Sequence, residues 1–348
     1  MITNYKALNS KLKFNILLPT LLGLIAVGGL GALSYSLLSS INPLARTTYI
    51  YIDADDNLDS LYHKTTQVGI HCPTTFRWLT QTNLFNLKTG KYAISENCNA
   101  LTYFKTLRSG LQTPVKLIIP SVWNIEQISA RIAKQLMLDS ATLMKCITDS
   151  TTLMKFNCNY EALPALFIPN TYEVWWNISP QQFVNRLHRE YTTFWNSTRK
   201  AKATSLGLTP FEVTTLASIV CRETNNTDEM PTIAGLYYNR LKRKLPLQAC
   251  PTVIFARGDF SITRLTNPME PDSPYNTYRY PGLPPGPIFI PPIVAIDAVL
   301  NLQQHNYLYM CAKEDFSGTH RFASTYSEHQ RNAKIYQRAY KKRFGKKL

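Results

Sequence analysis

Apolar positions change their period several times along this chain, and each change marks an element. Residues 16–38, ILLPTLLGLIAVGGLGALSYSLL, carry no charge, and a helical run of that length can cross a bilayer. It is longer than the roughly 7–15-residue apolar core of a cleavable leader, and no A-x-A site follows it, so it reads as an anchor. Between this run and about residue 140, a short β-rich stretch, a polar or Asn-containing turn and a helically spaced apolar stretch recur three times. The copies are TTYIYIDADDNLDSLYHKT, GKYAISENCNALTYFKTLRSG and VKLIIPSVWNIEQISARIAKQL. In the last, Ile125, Ile128 and Ile132 mark one helical face. This is the pattern of a small α+β module, and it offers no catalytic constellation. The doubled T-L-M-K in MLDSATLMKCITDSTTLMKFN reads as helical repetition.

A second region opens with the aromatic and β-branched ALFIPNTYEVWWNIS, and SPQQFVNRLHREYTTFW then predicts a helix capped by Ser179 with Pro180 at its first position. Thr209, Pro210 and Glu212 form a capping box that sets the register of the next helix. Val213, Leu216, Ala217 and Val220 lie on one face of it, and continuing that stripe reaches Glu223 and Thr224. Downstream, AGLYYNRLKRKLPLQACPTVIFA predicts a helix, a turn and a short strand. SPYNTYRYPGLPPGPIFIPP is a proline-stiffened loop holding Tyr275, Asn276, Tyr278 and Tyr280. The expected fold class is α+β: a cytoplasmic N-terminus (1–15), a transmembrane helix (16–38), a small α+β module (47–160) and a larger α+β domain (161–348).

A formal net charge of +16 raises the question of nucleic acid, because Lys and Arg track phosphates. Topology answers it. Lys6, Lys11 and Lys13 precede the span and only Arg46 follows closely, so the bulk of the chain is expected outside the cytoplasm, away from nucleic acid. The basic C-terminal stretch RNAKIYQRAYKKRFGKKL is either a solvated helix with a cationic tail or a surface attracted to anionic lipid or acidic wall polymer. The seven cysteines show no C-x-x-C pair and no zinc spacing, so neither a metal nor a cofactor is expected.

Glu223 is the candidate chemical group. A carboxyl on an inward face resists ionisation and suits proton donation near neutral pH. The other reading is a buried structural Glu paired with an Arg such as Arg240, or bonded to backbone. Tyr and Asn in one rigid loop suit a polyhydroxylated ligand, since rings pack on sugar faces while amides bond hydroxyls.

LASIVCRET, AGLYYNRL, LQACPTVIF, YNTYRYPGLPPGPI and YLYMCAKEDFSGTHRFASTYSEH occur here in one order. That ordered set resembles the YceG-like (MltG) family of membrane-anchored endolytic murein transglycosylases. LKTGKYAISENCNALTYFKTLRSG likewise resembles the family's LysM-like module, so the resemblance makes 47–160 LysM-like and 161–348 the catalytic domain. It implies cleavage of MurNAc-β-1,4-GlcNAc bonds in nascent glycan strands without water, leaving 1,6-anhydro-MurNAc ends and so ending strand elongation.

By the same resemblance Glu223 is the essential acid. Asn239, Gln248, Tyr275, Asn276 and Tyr278 would line the substrate cleft, with Asn239 and Arg240 able to brace it. The implied partners are peptidoglycan strands, the inner membrane and peptidoglycan synthases (penicillin-binding proteins), with the catalytic domain periplasmic. One carboxyl suffices if the sugar's own C6 hydroxyl closes on C1, whereas an ordinary glycosidase needs two. Two departures stand out: Cys221 and Cys250 occupy positions where the family commonly has acids. In a compartment that permits disulfides they either pair to brace the catalytic helix or are independent substitutions. A non-catalytic, membrane-anchored glycan-binding scaffold is the alternative function.

Overall fold

A computed structural model describes residues 2–262 and 267–345, with side chains from residue 20 onward. The side chains of Lys6, Lys11 and Lys13 and the last three residues of the basic tail lie outside the described residues. The chain divides into two compact units, 1–115 with 173–177, and 116–172 with 178–348.

The first unit begins with helix α1 (Ile2–Leu38). Its stretch Thr20–Leu38 has a mean hydropathy of 1.9 and none of it is buried, so it is long and apolar enough to cross a membrane. Strand β1 (Thr48–Ile52), helices α2 (Leu58–Gln67) and α3 (Thr74–Thr80), strand β2 (Gly90–Ile94) and helix α4 (Ala100–Ser109) follow. β1 and β2 pair antiparallel with Ile50 opposite Tyr92. Alternate strand residues Ile50, Ile52, Tyr92 and Ile94 point into a core completed by Leu61, Phe76, Tyr103 and Leu107. Phe76 stacks on Tyr103 with centroids 4.9 Å apart.

The chain continues through β3 (Val115–Ile119), α5 (Ile125–Ala133), α6 (Ser140–Thr148), α7 (Ser150–Phe156) and β4 (Asn170–Val174), which belong to the second unit except for Val115, Glu173 and Val174. β3 and β4 form a two-stranded sheet. All three strand–helix repeats read from the sequence are present. The Asn of each turn caps the helix after it: the side chains of Asn57, Asn99 and Asn124 accept the backbone N–H groups of Ser60, Thr102 and Gln127.

Then come α8 (Pro180–Phe194), α9 (Ser197–Ser205), α10 (Pro210–Glu223), α11 (Met230–Lys242), α12 (Cys250–Arg257) and α13 (Ile293–Leu300). The antiparallel pair β5 (Tyr309–Ala312) and β6 (His320–Ala323) and helix α14 (Tyr326–Phe344) close the unit. The Ser179 cap with Pro180 following it is as expected, and Gln182 completes a capping box there. The short strand expected over CPTVIFA is instead α12. Pro251 sits in its first turn, where a missing N–H costs nothing, and packing of Val253 into the core overrides the β preference of Thr-Val-Ile-Phe.

α10 is the centre of this unit. Every residue from Val213 to Cys221 is buried, with α11, α12 and α13 packed around the helix. Such a helix is apolar or small on all sides rather than striped. Its polar side chains bond inward: Ser218 Oγ donates to Thr215 O and accepts Ile288 N–H at 3.0 Å.

Two glycines allow the close approaches that hold this packing. A Cβ on Gly235 of α11 would lie 2.3 Å from Gln303 O, and one on Gly286 would lie 1.8 Å from Glu161 O, both rigid backbone. Gly286→Ala is expected to destabilise the protein by about 1–3 kcal/mol. Chemical denaturation of the two proteins checks this, and an unchanged midpoint would contradict the packing described.

Candidate active site

The position of Glu223 follows from where α10 starts. Thr209 Oγ1 accepts Glu212 N–H at 3.2 Å, while Glu212 Oε2 accepts Thr209 N–H at 2.7 Å, and Pro210 fills the first helical position. Val213, Leu216, Ala217 and Val220 are fully buried. Glu223 is the last helical residue, and the chain leaves the helix at Thr224 in an extended conformation. A carboxyl at a helix C-terminus faces the negative end of the macrodipole, which disfavours its ionisation.

Glu223 is half-buried, and it lines an open cavity of about 470 Å³. Its Oε1 accepts the Tyr237 hydroxyl at 2.7 Å. Burial holds the Glu223 carboxyl above the usual carboxylate range, against the smaller opposing effects of the Tyr237 hydrogen bond and the charge of His320. Burial and the facing Glu223 together hold the Tyr237 phenol well above its ordinary value, so it stays a donor.

Arg240 does not pair with Glu223, so the structural ion-pair reading does not hold. Its guanidinium donates to Pro246 O at 2.9 Å, Leu308 O at 2.8 Å and Gln248 Oε1 at 2.5 Å. It thereby ties α11 to the segment before α12 and to the approach to β5. Gln248 lies on the cavity wall with φ 55°, a left-handed conformation rarely taken by a non-glycine residue. The bond from Arg240 and its own N–H to Thr277 O at 3.1 Å hold it there.

The structure brings Glu223, Gln248 and Tyr278 together on this cavity and places the other expected residues elsewhere. Asn239 donates to His305 O at 2.7 Å and Tyr307 O at 3.2 Å, so its amide braces the chain after α13 and does not line the cleft. Asn276 is fully buried, and its Nδ2 donates to Pro268 O at 3.1 Å and Pro271 O at 3.0 Å, which shapes the proline loop from within. Tyr275 opens on a second cavity of about 360 Å³, shared with Phe255, Phe260 and Tyr160. The two cavities share walls, because α12 carries Cys250 to one and Phe255 to the other, and the loop does the same with Tyr278 and Tyr275.

Three groups close to Glu223 were not legible in the sequence as such: Tyr237, Glu229 and His320. Glu229 is 9% exposed. Its Oε1 accepts the backbone N–H of His320 at 2.7 Å, and its Oε2 contacts His320 Nδ1 at 2.8 Å. His320 lines the cavity with Glu223. The pair lies 91 residues apart in sequence, and no local spacing signals such a contact.

Cys221 and Cys250 are both free, so the proposed disulfide is not formed. Cys221 points into the core beside Ser218 O, and burial pushes its thiol up to about 12. Cys250 is exposed, at the start of α12, with its Sγ 3.2 Å from the Tyr278 hydroxyl. Two residues apart on a helix is about 200°, so Cys221 faces away from Glu223 and its cavity.

A half-buried carboxyl with a raised pKa, lining an open cleft with Tyr and Gln side chains, defines an acid–base site for a hydroxyl-rich ligand. The YceG-like family model matches residues 50–335, and the chain belongs to that family. It is 30% identical over 212 residues to a Bacillus subtilis protein named endolytic murein transglycosylase, covering 61% of this chain and 58% of that one. A Streptococcus pneumoniae protein of the same name is 28% identical over 285 residues, covering 72% of this chain and 51% of its own. The chain thus spans about half the length of these relatives. A crystal structure of a YceG-like protein from Listeria monocytogenes superposes with a TM-score of 0.57 at 25% identity, covering 82% of this chain and 98% of that one.

The two thiols give a direct check on this geometry. A maleimide applied to the folded protein, followed by peptide mass spectrometry, is expected to modify Cys250 and to leave Cys221 unmodified until denaturant is added. Recovery of a peptide linking Cys221 to Cys250 would contradict the arrangement.

Proposed function

We propose that this protein is an endolytic murein lytic transglycosylase in which Glu223 is the single general acid and base. One observation carries the reading: among the described residues lining the cavity, Glu223 is the one carboxyl. The nearby Glu229 is occupied by His320 and by Thr224, whose hydroxyl lies 3.4 Å from Oε2. A hydrolase of the ordinary kind needs a second carboxyl free to attack or to activate water, and this cleft presents none among those residues.

Glu223, its pKa raised by burial, gives its proton to the glycosidic oxygen as the C1–O4 bond breaks. The resulting carboxylate then accepts the C6 hydroxyl proton as O6 closes on C1, which forms a 1,6-anhydro-MurNAc end. The Tyr237 hydroxyl remains hydrogen-bonded to Oε1 and supports the carboxylate during the interval. Gln248, with its Oε1 engaged by Arg240, presents an amide N–H₂ toward sugar oxygens, and Tyr278 offers a ring and a hydroxyl. The neighbouring Tyr275 cavity, with its Phe255 and Phe260 walls, suits a further sugar ring along the strand. A strand running past both cavities is cut within its length, and a cut of this kind in nascent glycan ends elongation.

The same reading places α1 in the inner membrane, with the remainder on its outer side beside the synthases that extrude the glycan. Two helices between two antiparallel strands, β1-α2-α3-β2, support a LysM-like role for the first unit in holding glycan.

Wild type and Glu223→Gln, incubated with uncrosslinked glycan strands and followed by mass spectrometry, test the proposal. The wild type is expected to give anhydro-MurNAc ends, and Glu223→Gln to be slower by at least about 100-fold, the usual contribution of a positioned acid–base. Wild-type activity should fall as pH rises through the raised Glu223 pKa, since the donor form is then lost. Glycan binding without cleavage by the wild type would show a scaffold instead.

A further inference from the structure

Glu229 and His320 lie beside the acid but have no place in the proton transfers just described. Glu229 directly precedes α11 and is almost closed to solvent. A carboxylate only accepts, so both groups of His320 that meet it, the backbone N–H at 2.7 Å and Nδ1 at 2.8 Å, are donors. The proton on Nδ1 is thereby fixed, and the ring orientation with it. The same Glu229 carboxylate reaches Thr224, the residue next to Glu223, through the threonine hydroxyl. One buried carboxylate therefore holds both the end of the catalytic helix and the first residue of β6, whose ring forms part of the cavity wall around Glu223.

We propose that Glu229 and His320 are positioning residues whose charge pair steadies Glu223 between its two proton transfers. Glu229 holds the imidazolium, and the imidazolium stabilises the Glu223 carboxylate left when the proton has passed to the glycosidic oxygen. The proposal rests on the reading of Glu223 as the acid.

The remaining groups around the cavity leave this task to His320. On α11, Tyr237 is held neutral, while Arg240 keeps its charge but has its guanidinium committed to Pro246, Leu308 and Gln248. On the opposite wall Tyr278 is pushed up by burial and stays neutral, and Cys250, with its Sγ against the Tyr278 hydroxyl, carries a thiol. On β5, Cys311 is likewise raised by burial, and its neighbour Tyr309 carries a phenol. On α14, Tyr326 is a second phenol, and His329 is pushed down by burial and by the charge of Arg240, which keeps its ring neutral. The field of His320 is accordingly the charge that draws the Glu223 pKa down against burial.

Infrared titration of the full chain in detergent tests this without requiring turnover. The carboxylic acid C=O band of Glu223 is assigned by its loss in Glu223→Gln, and its disappearance is followed as pH rises. His320→Gln keeps a donor for Glu229 but carries no charge, and its Glu223 band is expected to persist to higher pH than in the wild type. His320→Lys restores a cation and is expected to bring the transition back toward the wild-type pH. Thermal melts confirm that each variant is folded, and the Lys variant carries the comparison with wild type if the Gln variant is not. Coincident transitions in wild type and His320→Gln, or a Lys variant that behaves as the Gln variant does, would overturn the proposal. Failure of the acid reading itself shows separately, as absence of anhydro ends from the wild type.

Discussion

The structure turns on a half-buried carboxyl at the end of a buried helix, with a phenol and no cation bonded to it. Withdrawing a carboxylate from water raises its pKa, and here the bonded partner is a neutral phenol and not a cation. Glu223 meets this constraint at the C-terminal end of a helix whose own dipole adds to the effect. A group so placed is available as a donor, and the surrounding fold must hold it in place. α10 does so by being buried from Val213 to Cys221, which leaves the helix no room to rotate or withdraw.

The walls of the cleft show the same economy of movement. Arg240 holds three acceptors from two separate chain segments, and Thr277 joins the start of α12 to the proline loop through Ala249 N–H at 3.1 Å and Thr252 Oγ1 at 2.9 Å. Gln248 keeps its left-handed backbone because these neighbours over-determine it. Strain of this sort costs about 1–3 kcal/mol and persists where the surroundings impose it. Buried Asn276 performs the equivalent task inside the loop, so that Tyr275 and Tyr278 project from a fixed frame onto adjacent cavities. Arg222, one residue before the acid, covers Trp123 and Phe289 at 4.3 and 4.9 Å from their ring centroids and so packs the outer side of the helix end.

What could be read from the sequence was local. The Thr209–Pro210–Glu212 start fixed the register of α10, and thirteen residues on from Pro210 that register delivers Glu223 to an inward position. The Asn-capped strand–helix repeats were legible for the same reason, since cap and period are set within a few residues. α12 was not, because β-branched residues after a Pro carry a strand preference that only long-range packing reverses. The site was legible where a motif carried it and obscure where contacts cross the chain. Asn239 and Asn276 look like ligand-binding amides in sequence, but whether an amide points to a carbonyl or to a cavity depends on distant segments. The Glu229–His320 contact joins residues separated by the whole span from α11 to β6. Cys221 and Glu223, two residues apart on α10, point about 200° apart, which turns Cys221 away from the cavity that Cys250 of α12 lines.

The central claim is that the cleft works with one carboxyl and without water. Running the wild-type reaction on glycan strands in H₂¹⁸O and weighing the new ends tests it most directly. The account predicts anhydro ends that carry no ¹⁸O, because the atom that closes on C1 is the sugar's own O6. Reducing ends with ¹⁸O at C1 would show that water attacks the bond, and would contradict the account of a single acid serving both steps.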